Sequence, residues 1–352
     1  MMMLDRNENQ YGPAPRCFDV IHAADLRSMS FYSRSYTKGT KGALAERLSS
    51  DLGIAEERVL LGYGSEDLLK QAVQSLLPRH GIMFLPAFSW WYYRRLAEEA
   101  TGTSVLYPLI RENTTYRYDV GAIIGLYKRH RPQVILIASP NNPTGNAMRR
   151  EEIGTLLAEC PDAVIMLDEA YAGFEPPGEF HDVRRLLELS PRIVVLRTFS
   201  KYYALAGLRI GFACVGDDLH RFVSASARYL GYNRVSEEIA LAALDSSGYY
   251  LRIATETASS KHRLITAFRD LADYTPYDSA ANFLLIRHPE GDGNRIAAAL
   301  KQRGIAVRFL EDHDLADCMR ITVGTPEQTD AVISAFREIA ASRPEVIPLP
   351  ER

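Results

Sequence analysis

Hydrophobic positions along the chain fall into two recurrent patterns. Short, nearly continuous apolar runs appear in "RVLLG" from Arg58, "GIMFL" from Gly81, "VILIAS" from Val134, "VIMLD" from Val164, "IVVLR" from Ile193 and "IGFACV" from Ile210. Runs this short, rich in β-branched residues and apolar at successive positions, predict strands covered on both faces. Amphipathic stretches lie between them. In "SEDLLKQAVQSLLP", Leu68, Leu69, Ala72, Val73, Leu76 and Leu77 make one stripe, Ser65 offers an N-cap and Pro78 stops the run. Strands alternating with helices predict a mainly parallel α/β sheet.

After about residue 245 the texture changes. "SGYYLRIATETASSKHRLITAFRDLADY" reads as a long helix, followed by a strand at "NFLLIRH", a helix around "NRIAAALKQRG", strands at "IAVRFL" and "MRITVG", and a closing helix around "PEQTDAVISAFREIAAS". This order predicts a second, smaller α+β domain.

Composition narrows the partners. With 352 residues, 47% hydrophobic and 24% charged, the chain can bury a sizeable core, and a net charge of -3 gives no field to hold nucleic acid or an acidic membrane surface. No apolar run approaches membrane-spanning length, and the start, "MMMLDRNENQYGP", turns charged at once, so a cytoplasmic protein is expected. Cys17, Cys160, Cys214 and Cys318 share no metal-binding spacing. They are expected to be reduced structural thiols, with no metal site.

In parallel α/β sheets, ligands gather at the carboxyl ends of the strands. Four such ends carry chemistry here: Tyr63 to Glu66, "SPNNPTG" from Ser139 to Gly145, Asp168 to Tyr171, and Thr198 to Lys201. Backbone N–H groups at Gly64 and Ser65, opening a helix, form an anion site aided by the helix dipole, although an ordinary helix cap has the same sequence. Asp168 at a strand end also fits a plain turn cap. Lys201 is harder to explain that way, because it stands between the hydroxyls of Thr198 and Ser200 and the apolar "YYALAGLRIGF". Partial burial lowers an amine's pKa and readies it to attack a carbonyl. Arg209 adds a fork that matches a phosphate, with Thr198 and Ser200 as further donors. Together these groups suit an aldehyde that carries a phosphate.

The motifs "RNENQYGP", "GYGSEDLL", "PAFSWW", "ASPNNPTGN", "LDEAYAGF", "TFSKYYALAGLRIGF", "AANFLLI", "GIAVR" and "MRITVG", in that order, resemble those of the fold-type I pyridoxal-5'-phosphate enzymes. Within that group the chain is similar to the histidinol-phosphate aminotransferases over nearly its whole length. The resemblance implies pyridoxal 5'-phosphate as cofactor, with Lys201 taking its aldehyde carbon and afterwards moving a proton. It further implies that Asp168 pairs with the pyridine nitrogen and that Asn142 and Tyr171 bond the ring's phenolic oxygen. Gly64, Ser65, Thr198, Ser200 and Arg209 are implied to hold the phosphate. Trp91 stands where the family usually stacks a tyrosine on the ring.

On the substrate side, the resemblance assigns Arg320 and Arg308 to the anionic end of the substrate and places Tyr11 in an arm that closes over the site. Tyr36 matches a tyrosine that reaches the cofactor phosphate of a neighbouring subunit, which implies an obligate homodimer with a shared active site. The implied division is an arm at 1–30, a large cofactor-binding domain at 31–245 and a small domain at 246–352. The implied activity moves an amino group from histidinol phosphate to 2-oxoglutarate. A guanidinium binds phosphate and carboxylate with the same geometry. The residues therefore also admit an aromatic or other amino-acid aminotransferase and a threonine-phosphate decarboxylase. The aromatic run "SWWYYRR" and Tyr63 depart from the family's usual pattern and bear on that choice. A cofactor-sensing regulatory module is the non-enzyme alternative, disfavoured because the aminotransferase pattern leaves no room for a DNA-binding domain.

Overall fold

The computed structural model describes residues 1–25, 27, 30–32, 42–175, 181–228 and 231–342. Its centre is a seven-stranded sheet. Across it the strands run Val59–Gly62, Gly211–Val215, Ile193–Thr198, Val164–Asp168, Val134–Ala138, Ile82–Pro86 and Thr103–Tyr107. The last five are parallel to one another, whereas Gly211–Val215 is antiparallel to both of its neighbours.

The uninterrupted apolar runs follow from burial on both faces. Successive side chains point to opposite sides of a strand. Ile135, Ile137, Ile165, Leu167, Ile193 and Val195 therefore pack into one apolar layer, and their neighbours Val134, Leu136, Val164, Met166, Val194 and Leu196 into the other. The second layer includes Leu68, Leu69, Ala72 and Val73 from the Ser65–Leu76 helix, the stripe expected from the sequence. That helix begins differently from the expectation. Ser65 is its first residue, and Gly64, with a φ of 83°, is the cap and offers no side-chain bond. The first N–H groups of the helix are thus left without a capping side chain.

The Thr103–Tyr107 strand was not anticipated. It closes one edge of the sheet, and of its five residues only Tyr107 is buried, so no continuous apolar run marks it. The antiparallel Leu109–Glu112 and Thr115–Tyr118 pair was likewise unmarked.

A separate antiparallel sheet contains Thr275–Pro276, Phe283–Arg287, Cys318–Thr322 and Arg308–Phe309 in that order. The Ser247–Arg269, Gly293–Gln302 and Pro326–Ala341 helices supply its apolar partners, among them Leu264, Phe268, Ile296, Leu300 and Phe336. The amino-terminal arm joins this unit. Met2–Met3 pairs in parallel with Ile305–Ala306, Leu4 is buried, and Thr322 N–H donates to Leu4 O at 2.9 Å. These anchors lay Asp5 to Glu8 across the carboxyl edge of the large sheet, along the cleft described below.

All four cysteines are free and buried. Among the described residues, no helix is long and apolar enough to cross a membrane, and no cluster of His, Cys, Asp and Glu is placed to hold a metal.

One close approach fixes the cleft floor. A Cβ on Gly211 would lie 2.4 Å from both Gly64 C and Ser65 N, so this strand seats the helix start only because residue 211 has no side chain. Gly211→Ala is expected to destabilise the protein by about 1–3 kcal/mol through overpacking and to weaken anion binding at the helix start. Urea unfolding with phosphate titration measures both, and a variant matching the parent in both would show that the two backbones separate freely.

Candidate active site

The strand ends meet the arm in a cleft of about 1140 Å³, bordered on the far side by residues of the smaller sheet. Lys201 follows the Ile193–Thr198 strand and is half-buried, and its Nζ donates to the backbone carbonyl of Arg6 at 2.8 Å. Burial lowers its pKa to about 8, helped by the positive charges of Arg320 and Arg209 and opposed by Glu8. A substantial neutral fraction therefore exists at neutral pH, which is the nucleophilic form of an amine.

Asp168 ends the adjacent strand and is 4% exposed. Its Oδ2 accepts from the Tyr93 hydroxyl at 2.8 Å and its Oδ1 from Ala170 N–H at 3.0 Å. Burial raises its pKa to about 6, against the pull of those two donors, and neighbouring Glu169 pushes the same way. Glu169 itself has the opposite fate. Burial would raise it, but Arg197 Nε at 2.7 Å and His181 Nδ1 at 2.5 Å hold it below the usual carboxylate range. Two consecutive acids thus differ because one has cationic neighbours and the other has none in contact. A buried acid that meets only neutral donors would be favoured in its charged form by a neighbouring cation.

Hydroxyls, a guanidinium and a helix start from three segments meet on one side of the cleft. Thr198 Oγ1 and Ser200 Oγ are 2.8 Å apart, and Arg209 Nη1 lies 3.5 Å from Ser200 Oγ. Arg209 Nη2 lies 3.4 Å from Glu66 Oε2 in the first turn of the Ser65–Leu76 helix. A Cβ on Gly64 would come within 2.6 Å of Arg209 Nη2, so the glycine leaves room for the guanidinium beside the uncapped helix start.

Tyr171 is buried, and its hydroxyl accepts from Asn7 Nδ2 at 2.9 Å. Asn142 Oδ1 accepts from Arg320 Nη1, and Arg320 Nη2 donates to Asp5 O at 2.6 Å. Trp91, 71% exposed, lines the cleft beside Trp90. Arg308 also lines it, directly opposite Arg320 in the antiparallel pairing of their strands.

Tyr11 is placed elsewhere. Its ring packs into the apolar layer beside the Ser247–Arg269 helix and its hydroxyl lies near Glu256 and Ser260, where burial and the Glu256 charge raise its pKa to about 12. The arm residues that line the cleft are Asp5 to Glu8 instead. Tyr36 lies outside the described residues. Tyr93 is marked in the sequence only by its place in the aromatic run, and the Asp5 and Arg6 carbonyls leave no residue-type signal at all.

A nucleophilic amine, a buried acid and an anion cradle at the strand ends of one sheet define a site for a phosphorylated carbonyl cofactor. The chain belongs to the class I and II aminotransferases, whose family model matches residues 1–336. It is 32% identical to a histidinol-phosphate aminotransferase of Roseiflexus castenholzii over 97% of this chain and 90% of the relative. A second such enzyme, from Burkholderia lata, is 32% identical over 96% of this chain and 92% of its own length. In fold the chain resembles the histidinol-phosphate aminotransferase of Sinorhizobium meliloti, solved with pyridoxal-5'-phosphate (TM-score 0.85, 23% identity, 97% of this chain and 91% of that one). It also resembles an L-threonine-O-3-phosphate decarboxylase of Porphyromonas gingivalis (TM-score 0.81, 20% identity, 97% and 100%).

The protein is therefore a pyridoxal-phosphate-dependent transaminase, acting on an amino acid or related amine and a 2-oxo acid. The residues present fit the cofactor. The uncapped helix start beside Gly64 and Arg209 suits its phosphate, and the cation-free Asp168 suits its ring nitrogen.

Attachment of the cofactor's carbonyl needs the free amine. Its rate is expected to rise with pH to about 8 and then level off, whereas an ordinary lysine would keep gaining toward about 10.5. Borohydride trapping at timed intervals across pH 6 to 11 measures this. Continued acceleration above pH 10 would contradict the depressed pKa, and covalent trapping in Lys201→Ala would move the attachment to another residue.

Proposed function

We propose that the protein transfers the amino group of histidinol phosphate to 2-oxoglutarate. The similar curated enzymes support this reading, and one observation carries it to the anionic end of the substrate. Arg308 and Arg320 face each other across neighbouring antiparallel strands, both on the cleft. Like charges directly opposite are destabilising. Among the described residues Arg320 has no ion-pair partner, and its buried Nε has no hydrogen-bond partner. A phosphate monoester, with up to two negative charges and a geometry matched to guanidinium, relieves that repulsion.

In this reading residues 1–30 form the arm, 31–245 bind the cofactor and 246–352 supply the two arginines. When bound, pyridoxal phosphate supplies a carbonyl carbon to carry the amino group and a ring that accepts electrons. The chain's residues do the rest. Lys201 Nζ takes and returns the proton at the substrate's α-carbon, a task suited to an amine with a pKa near the working pH. Asp168 would hold its negative charge toward the ring nitrogen. Tyr171 and Asn142 would orient the ring's oxygen side, and Trp91 would pack on the ring. Ser65, Thr198, Ser200 and Arg209, with Gly64, would hold the phosphate.

Asp5 to Glu8 exclude water along one side, strengthening each electrostatic contact within. Trp90, beside Trp91 on the cleft, offers apolar ring surface for the donor's ring. The shared-site homodimer implied by Tyr36 belongs to the same proposal.

The donor is identified by adding histidinol phosphate, phenylalanine, tyrosine, glutamate and phosphothreonine separately to the loaded enzyme and following loss of its visible absorption. Histidinol phosphate is expected to react fastest, and phenylalanine or tyrosine outpacing it would assign the aromatic class. Arg320→Ala should lower kcat/KM for the phosphorylated donor by about 30-fold or more, the cost of removing one partner of a buried charged contact. Arg308→Ala should raise KM while leaving thermal stability equal or higher, since it removes a like charge. Equal activity of both variants would remove the arginine pair from substrate binding. Asp168→Ala should remain folded yet nearly inactive, as judged by circular dichroism and turnover.

A further inference from the structure

Tyr93 sits in the first turn of the Tyr92–Glu99 helix, two residues after Trp91, and is 5% exposed. Its ring packs edge-on against Trp90, with centroids 5.5 Å apart, within the apolar layer that includes Leu69, Leu96 and Ala138. Packing alone therefore fixes the ring. The hydroxyl does something further: it reaches Asp168 Oδ2 at 2.8 Å while Ala170 N–H holds Oδ1 at 3.0 Å. One donor comes from a helix and the other from the turn after the strand, so the carboxylate is held at both oxygens. Each oxygen keeps a lone pair for a further donor.

We propose that Tyr93 is a positioning residue for the cofactor's acid partner, its hydroxyl holding the Asp168 carboxylate in place and keeping the negative charge on it. This rests on the reading of Asp168 as the partner of the ring nitrogen.

The surroundings make the hydroxyl count. Glu169, Tyr118 and Tyr171 are the titratable groups near the pair, and none of them is a cation; Lys201 and Arg320 line the same cleft. Burial works against the charged carboxylate, and Tyr93 and Ala170 N–H are the donors that favour it. Tyr93 is in no danger of ionising in its place. Burial and the Asp168 charge hold its hydroxyl well above the ordinary tyrosine range, so it stays a donor. A phenylalanine would satisfy the packing equally and leave Asp168 with one donor fewer.

The chain has two tryptophans, and both line the cleft, so intrinsic fluorescence reports cofactor binding independently of turnover. The test titrates the full-length protein with pyridoxamine phosphate, which presents the ring and phosphate without a carbonyl to react, from pH 5 to 8. In Tyr93→Phe the dissociation constant is expected to rise about tenfold near pH 6 and less at pH 8. The acid limb of binding should move up by about half to one pH unit, because losing a donor to the charged form raises the acid's pKa.

Replacing Tyr93 site-specifically by 3-fluorotyrosine, a stronger donor of the same shape, should move the limb down, and it serves if the phenylalanine protein folds poorly. Asp168→Asn should bind weakly at every pH and be indifferent to Tyr93→Phe. Parental affinity and an unmoved limb in both Tyr93 proteins, beside a weakened Asp168→Asn, overturn the role of Tyr93 and leave that of Asp168 standing. Parental binding in Asp168→Asn overturns both.

Discussion

A sheet whose two faces are both buried has only its strand ends left for chemistry. That constraint organises this molecule. Because residues 134–138, 164–167 and 193–196 of three neighbouring strands place their side chains in one apolar layer or the other, the first polar residues the chain can place come at the strand ends or just beyond them. Parallel alignment puts those positions side by side. Asn142, Asp168 and Lys201 are far apart in sequence and line one cleft for this reason.

The electrostatics of that cleft are uneven. Lys201, Arg209, Arg308 and Arg320 bring positive charge to it, and Asp168 is a buried acid with only neutral donors in contact. The neighbouring acid is placed differently. Glu169, one residue on, is matched by Arg197 and His181. The contrast between the two acids is the electrostatic basis of the role proposed for Asp168, and the facing arginines are that of the proposed anion contact.

The sequence displayed some of this plainly and hid the rest for physical reasons. Six strands were legible because burial on both faces writes itself as an unbroken apolar run. Thr103–Tyr107 was not, because this edge strand buries only Tyr107 and so carries no such run. The direction of Gly211–Val215 was equally hidden, since hydrophobic pattern carries no sense of direction. Lys201, Asp168 and Arg209 stood out as charges abutting apolar runs. Tyr93 did not, since an aromatic among aromatics looks like core until the fold brings its hydroxyl to an acid 75 positions away. Tyr11 was expected in the cleft from its motif. The arm turns between residues 8 and 11, so Asp5 to Glu8 face the cleft and the tyrosine ring lies on the long helix. Contacts made by the carbonyls of Asp5 and Arg6 have no signature in any sequence, because every residue carries that group.

The arm also sets an order of assembly. Met2 and Met3 find their partners at Ile305 and Ala306, and Leu4 bonds to Thr322. A segment emerging early from the ribosome must therefore wait for one made late, and the carbonyl that meets Lys201 is held on that segment. During synthesis the large sheet can collapse long before its cleft has a wall. A half-made chain thus lacks that wall, because the later strands at Ile305–Ala306 and Cys318–Thr322 are what draw Met2 to Leu4 into place.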